Sequence, residues 1–197
     1  SLQEYRSSLM LRLARERVVM PARAVNPQVQ LILKFPNWYD CYATSGYAIC
    51  AETELFDQVW IGTETREPDS PEAGRRPQTQ ASWLQGWLND LAGKKCGGAW
   101  YDPIDTLPDT FVEQARQSIL GGARESLLHC YDYLATTTPG LAVHGKDLEI
   151  RNGLADAEAF RKEADSLQQL AQCLQDAIPV GVTVPKAPDF DAPEERC

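Results

Sequence analysis

The sequence predicts an α/β protein of parallel (β/α) units, about four of them after an initial helix, forming the C-terminal half of a TIM-like (β/α)8 barrel. Three observations carry that expectation. Strand-sized apolar runs alternate with helical patterns, an order that calls for parallel pairing with right-handed crossovers. The phosphate-loop fingerprints GxGxxG and GxxxxGKS/T, which would favour a doubly wound nucleotide-binding sheet, are absent. The chain has 197 residues, enough for one real core but fewer than the roughly 250 of a closed eight-unit barrel. Closure would need a missing N-terminal half barrel or a partner chain.

The elements follow in order. Residues 2–24 read as a helix, with Leu9, Leu13, Val18 and Met20 inward and Arg12, Arg15, Glu16 and Arg17 wet. Pro21 threatens its last turn, and Asn26-Pro27 marks the stop. Residues 29–35 are the first strand, so continuously apolar that cover on both faces is expected. A loop, 37–40, and a helix over 45–55 lead to the second strand, 56–63. A polar loop over 64–77 follows, and its length is of the kind that often serves function. The helix 78–92 carries Trp83, Leu84, Trp87, Leu88 and Leu91 at helical spacing, a stripe best read as core.

Residues 94–101 form the third strand. Pro108 opens and Gly121-Gly122 closes a helix over 108–120. Residues 125–131 are the fourth strand, and 155–177 the last helix. The partial barrel thus covers 1–177. Residues 178–197 read as a linker or the start of a truncated following domain, with 178–184 apolar enough for one more strand. Both ends read as those of a piece of a longer chain.

Composition narrows the partners. Apolar residues make up 43% and charged residues 24%, with a net charge of −9. This is globular composition, and no apolar run reaches the roughly 20 residues of a membrane span. The few basic residues are scattered among acids, so neither nucleic acid nor an anionic membrane is an expected partner. Six cysteines are widely spread without a CxxC pair, and the two histidines, His129 and His144, give no zinc spacing. They read as free thiols of a cytoplasmic protein, with secretion and disulfides the alternative for a longer parent. No cofactor is expected and no metal is assigned. Asp102, Asp105 and Asp132 could hold a cation, but their spacing is not diagnostic.

In parallel barrels the working residues sit at the C-terminal strand ends. Strand one exits with Lys34, Trp38, Tyr39 and Asp40. Strand two exits with Thr63, Glu64 and Arg66. Strand three exits with Trp100, Tyr101, Asp102 and Asp105, and strand four with Tyr131, Asp132 and Tyr133. Acids and aromatics at every exit suit a carbohydrate substrate, because aromatic faces stack on sugar rings and charged groups bond hydroxyls. Cleaving a glycosidic bond needs two carboxyl groups. Glu64 is the first catalytic candidate, with Arg66 near enough in sequence to tune or orient it; Asp102 and Asp132 come next. Lys34, Trp38, Tyr39, Arg66, Trp100 and Tyr131 are the binding candidates.

Each has a plainer reading. Glu64 could cap its loop or pair with Arg66. Asp102 before Pro103 is a common turn arrangement. Asp132 could merely orient a hydroxyl, Lys34 could be a rim residue, and the tryptophans could be mouth packing. The rival class is a non-catalytic carbohydrate-binding or scaffold barrel in a multidomain protein. A metal-dependent hydrolase or a lyase is a third reading.

Four segments, Leu33-Lys-Phe-Pro-Asn-Trp-Tyr-Asp40, Phe56 to Arg66, Gly97-Gly-Ala-Trp-Tyr-Asp102 and Phe111 to Glu125, occur in the order found in a family they resemble. That family comprises large bacterial barrel proteins assigned as glycoside hydrolases, and the likeness covers about residues 25–135. Some members carry an amidotransferase-like or β-galactosidase-trimerisation-like domain after the barrel. The resemblance implies a barrel fold and a sugar substrate. Many retaining barrel glycosidases carry the acid/base on strand four and the nucleophile on strand seven. If 125–131 is the eighth strand, Glu64 lies on the sixth. That departs from the usual nucleophile placement, so the resemblance points to Glu64 as a proton donor, with its partner on the N-terminal half.

Overall fold

A computed structural model describes residues 1–66, 77–104, 106–128, 153–178 and 180. Its centre is a four-stranded sheet of order β1-β2-β3-β4, with β1 Ile32–Phe35, β2 Gln58–Gly62, β3 Cys96–Tyr101 and β4 Glu125–Leu128. β3 and β4 pair in parallel with Gly98 opposite Glu125 and Tyr101 opposite Leu128. The strands are parallel and interleaved with helices, an α/β architecture consistent with half of a (β/α) barrel. Among the described residues, no helix is long and apolar enough to cross a membrane.

The helices are α1 Leu2–Leu13, α2 Met20–Val25, α3 Tyr42–Ser45, α4 Ile49–Leu55, α5 Gln80–Ala92, α6 Pro108–Leu120 and α7 Gly153–Leu174. Ser1 and Glu4 form a capping box that starts α1. Pro21 does not break the rod as the sequence suggests. The chain widens into a π-helix over Ala14–Val19, and the Met20 N–H reaches back to Arg15 C=O, so helix continues through the proline. The wider turn also shifts the phase of the inward face. Val19 is buried, whereas Leu13, Val18 and Met20, expected inward, are exposed.

The contacts divide into two compact units. The first gathers Ser1–Trp60 and Trp87–Gly97, the second Ile61–Gly86 and Gly98–Pro179. In the first, Tyr42 is fully buried and meets Phe35, Tyr47 and Trp87 at ring-centroid distances of 6.2, 5.2 and 6.2 Å. Such pairs add about 0.5–1.5 kcal/mol each beyond area burial. The strand expected over 29–35 begins only at Ile32. Leu31 instead gives its N–H to the Asp57 carboxylate, which Arg23 also holds at 2.9 Å. Those bonds pull the Asp57 carboxyl below its usual range, the Leu31 N–H first and Arg23 after it. β1 is an edge strand with Ile32 and Lys34 exposed, not a strand covered on both faces. The helix expected over 45–55 is two pieces, because Gly46 takes a left-handed φ of 93° to end α3.

The end of α4 is closed by Lys95. Its ammonium donates to the carbonyls of Thr53, Glu54 and Phe56 at 2.8, 2.9 and 3.0 Å. A cation there meets both the orphan carbonyls and the negative end of the helix dipole. At the other end, Glu52 turns its carboxylate back to the Ala48 N–H.

In the second unit, α6 and α7 pack over β3. Ala99, Tyr101, Phe111, Val112, Ala115 and Leu167 form the core, with Phe160 stacked on Tyr101 at 6.5 Å. Burial pushes the Tyr101 phenol up to about 12, opposed by a bond from Ser126. Here the expectations hold closely. The α6 bounds are those expected, α5 buries Leu84 of the anticipated stripe here and Leu88 in the first unit, and α7 buries Leu167. Ile178 and Val180 are exposed and outside any strand among the described residues, and the remainder of 178–184 lies outside them.

Glu52 generates a pH prediction. It is almost fully buried, and burial raises its carboxyl from 4.5 to about 6, against the Ala48 bond that lowers it. The folded chain therefore holds this proton more tightly than the unfolded one. Stability from this group is greatest below pH 4.5 and falls as pH rises to about 6, by about 1–2 kcal/mol. Urea unfolding across that window is expected to show the decline in the native chain. Glu52→Gln is expected to flatten it, and an unchanged slope in the variant would assign the decline elsewhere.

Candidate functional site

The chemistry-bearing residues of the second unit gather where β2 and β3 end. The Thr63 N–H donates to Trp100 C=O at 2.9 Å, which carries the β2–β3 ladder one residue past the end of β2. Glu64 and Asp102 therefore leave from two adjacent strand ends. Both are buried, Glu64 to 6% exposure and Asp102 to 4%. A carboxyl group taken this far from water is expensive unless bonded, so its partners define its role.

Asp102 has a full set. Arg66 approaches it with both terminal nitrogens, Nη1 to Oδ1 at 2.7 Å and Nη2 to Oδ2 at 3.4 Å. The Ile104 N–H donates to Oδ1 at 2.9 Å, which makes the turn over Pro103. The Thr106 hydroxyl donates to Pro103 C=O at 2.8 Å and closes the same turn. A carboxylate with both oxygens so engaged is an anchor. It fixes a guanidinium that remains partly open to solvent. The Arg66 guanidinium reaches across to the next strand, where it pairs with Asp102.

The backbone around Glu64 is held as firmly. Gln78 donates from Nε2 to Arg66 C=O at 3.0 Å and accepts the Thr65 hydroxyl at Oε1. One glutamine thus ties together the two residues after Glu64. From the helix side, Ser118 and Gln114 of α6 reach the strand ends. The Thr63 and Ser118 hydroxyls are 2.7 Å apart, and Ser118 spends its own proton on Gln114 C=O. A hydroxyl has one proton, so Thr63 is the donor between them. Gln114 Nε2 donates to Asp102 C=O at 2.9 Å. Thr63, Gln114 and Ser118 are all fully buried.

Sequence reading missed Gln78, Gln114 and Ser118. For the last two a signal existed: polar residues four apart on the face of α6 that also carries Phe111 and Ala115.

The other expected residues divide by unit. Trp100 belongs to the second and is partly exposed. Lys34, Trp38 and Tyr39 belong to the first, after β1. Lys34 is exposed, Trp38 is 54% exposed, and Tyr39 is buried in a single 3-10 turn, as is Asp40. Tyr131, Asp132, Tyr133, Asp105, His129 and His144 lie outside the described residues. Among the described residues no cluster of three or more His, Cys, Asp or Glu side chains is arranged to hold a metal ion. Among the described residues, Cys41, Cys50, Cys96 and Cys173 form no disulfide.

A parallel sheet with interleaved helices and buried carboxylates at its strand exits defines an α/β protein with its acids at the C-terminal strand ends. Residues 1–173 match the family model described as probable glycosyl hydrolase, catalytic domain, and the chain belongs to that family. An uncharacterised protein of Saccharolobus solfataricus is 31% identical over 99 residues, half of this chain. The chain spans 16% of the length of that relative. No solved structure matches.

The Arg66–Asp102 pair is directly testable. Arg66→Met leaves a buried carboxylate without its cation, and is expected to cost about 2–4 kcal/mol. Asp102→Asn should cost less. A double-mutant cycle by denaturant unfolding should return a coupling of about 1–3 kcal/mol. Additive losses would mean that the two side chains act independently.

Proposed function

We propose that the chain forms part of a glycoside hydrolase that cleaves O-glycosidic bonds of a carbohydrate by carboxylate acid/base chemistry. The observation that carries this reading is Glu64, a buried carboxyl group at the exit of an interior strand, in a chain of the glycosyl hydrolase catalytic family. Low exposure keeps bulk water away from a group that must pass a proton to a leaving oxygen. Asp102 is engaged with Arg66 and Ile104, so in this proposal it serves as anchor while Glu64 moves the proton. The second carboxyl group that cleavage requires would be Asp132 or a residue of the missing N-terminal half barrel.

In the same proposal Arg66 and Trp100 meet the sugar in the second unit, Arg66 through the donors that Asp102 leaves free. Trp38, about half exposed, offers an aromatic platform in the first, with Lys34 and Tyr39 near it in sequence; Tyr131 completes the set. The four units would close as a TIM-like barrel with an N-terminal half or a partner chain. Residues 178–197 would lead into a following domain, amidotransferase-like in the family resembled.

The test is Glu64→Gln in the full chain, assayed on a panel of 4-nitrophenyl glycosides. Loss of a general acid or base is expected to lower kcat by roughly 10²–10⁴-fold, with the unfolding transition retained. Unchanged turnover would remove Glu64 from the mechanism. Sugar binding that needs Trp38 and ignores Glu64, with no hydrolysis by the native chain, would instead mark a carbohydrate-binding barrel.

A further inference from the structure

We infer that α6 is the positioning element of this site, acting through Ser118 and Gln114 on the exits of β2 and β3. The inference rests on the hydrolase reading just given. Ser118 and Gln114 are four residues apart, hence on one face of the helix, and both are fully buried. Each ends on a strand exit. Thr63, which donates to Ser118, immediately precedes Glu64. Gln114 holds the carbonyl of Asp102, the residue that anchors Arg66. Ser118 also bonds Gln114 C=O, so one continuous chain of hydrogen bonds runs from the end of β2, through α6, to the end of β3.

Packing does not account for these residues. α6 already buries Phe111, Val112 and Ala115, and an apolar side chain would serve a helix–sheet contact as well. The Gln114 Oε1 atom is buried with no hydrogen bond among the described residues. An unsatisfied acceptor works against stability, so what the side chain contributes is its Nε2 bond to Asp102. The consequence is geometric: α6 sets how far, and at what angle, the residues carrying Glu64 and the Arg66–Asp102 pair emerge. A reacting group displaced by about 1 Å can lose on the order of 10² in rate.

The test uses Ser118→Ala, Ser118→Thr and Gln114→Met in the full chain, with the 4-nitrophenyl glycoside that the native protein cleaves best. Ser118→Ala and Gln114→Met are expected to lower kcat about 10–100-fold while KM stays within about twofold. Ser118→Thr keeps the hydroxyl and is expected to restore most of the rate. Hydrogen exchange at residues 63–66 and at the Asp102 and Ile104 amides should quicken about tenfold in the two disabling variants, with β3 and β4 protection unchanged. Native kcat in both, or a loss that threonine fails to rescue, would overturn the inference. If the native chain hydrolyses no glycoside, the hydrolase reading falls by itself. Exchange then decides the role of α6: local quickening sustains it, and unaltered exchange at the two exits overturns it.

Discussion

β3 lies inside the sheet and must accept neighbours along both edges, and its third and second residues from the start limit how closely they can come. At position 98 a Cβ would overlap the carbonyl of Glu125, the residue opposite it on β4; at position 97 it would meet the indole nitrogen of Trp60 and the amide of Gln58. Both approaches fall under 3.0 Å, closer than side-chain carbons come to such atoms. Glycine at 97 and 98 therefore permits the spacing, and the strand loses the packing that side chains would give it. Ala99 and Tyr101 supply that packing further along, against Phe111 and Phe160. The strand is bare where backbone must pass and heavily anchored near its end. Its exit is consequently better fixed than its entry, which is the requirement of a site built on strand ends.

The polar groups at those exits follow from the same layout. Past the last ladder bond the backbone has no strand partner, yet Thr63, Glu64, Thr65 and Asp102 remain buried. Side chains meet polar atoms of Thr63, Thr65 and Asp102: Ser118 the first, Gln78 the second, Gln114 and Arg66 the third. The ion pair is thereby tied to the turn after β3, because Asp102 uses one oxygen for Arg66 and for the Ile104 amide together. Moving Arg66 would require the turn to move as well. A guanidinium restrained in this way loses little conformational freedom when it bonds a ligand, which is where preorganisation gains affinity.

What could be read from the sequence tracks how local each determinant is. The helix over 108–120 was legible to the residue because Pro108 and Gly121-Gly122 are local signals. β2 and β3 lay within the expected runs for the same reason. The π-helix before Pro21 was not legible: hydrophobic periodicity assumes 3.6 residues per turn, and a wider turn moved burial from Val18 to Val19. β1 read as fully covered because Ile32, Leu33 and Phe35 are apolar, but cover depends on what packs against a strand, which composition does not encode. At the site, the positions of Glu64 and Asp102 followed from strand ends alone. The partner of Arg66 did not, since sequence nearness pointed to Glu64 and the strand pairing presented Asp102.

That contrast bears on how the carboxylates divide their labour. Three acids looked alike as residues after strands. The structure distinguishes Asp102 by its donors: two nitrogens of a guanidinium and one amide leave it little capacity for another partner. An acid committed to so many N–H groups is suited to holding its neighbours in place, whereas proton transfer asks for a carboxyl able to exchange one bond for another. Glu64 is equally buried, and the two residues after it are bound through their own backbone and hydroxyl atoms by Gln78. Fixing the chain on either side of a carboxyl sets the direction in which the group leaves its strand. The two acids at neighbouring strand ends thus sit in different surroundings: α6 and Arg66 hold Asp102, while Gln78, just before α5, holds the residues after Glu64.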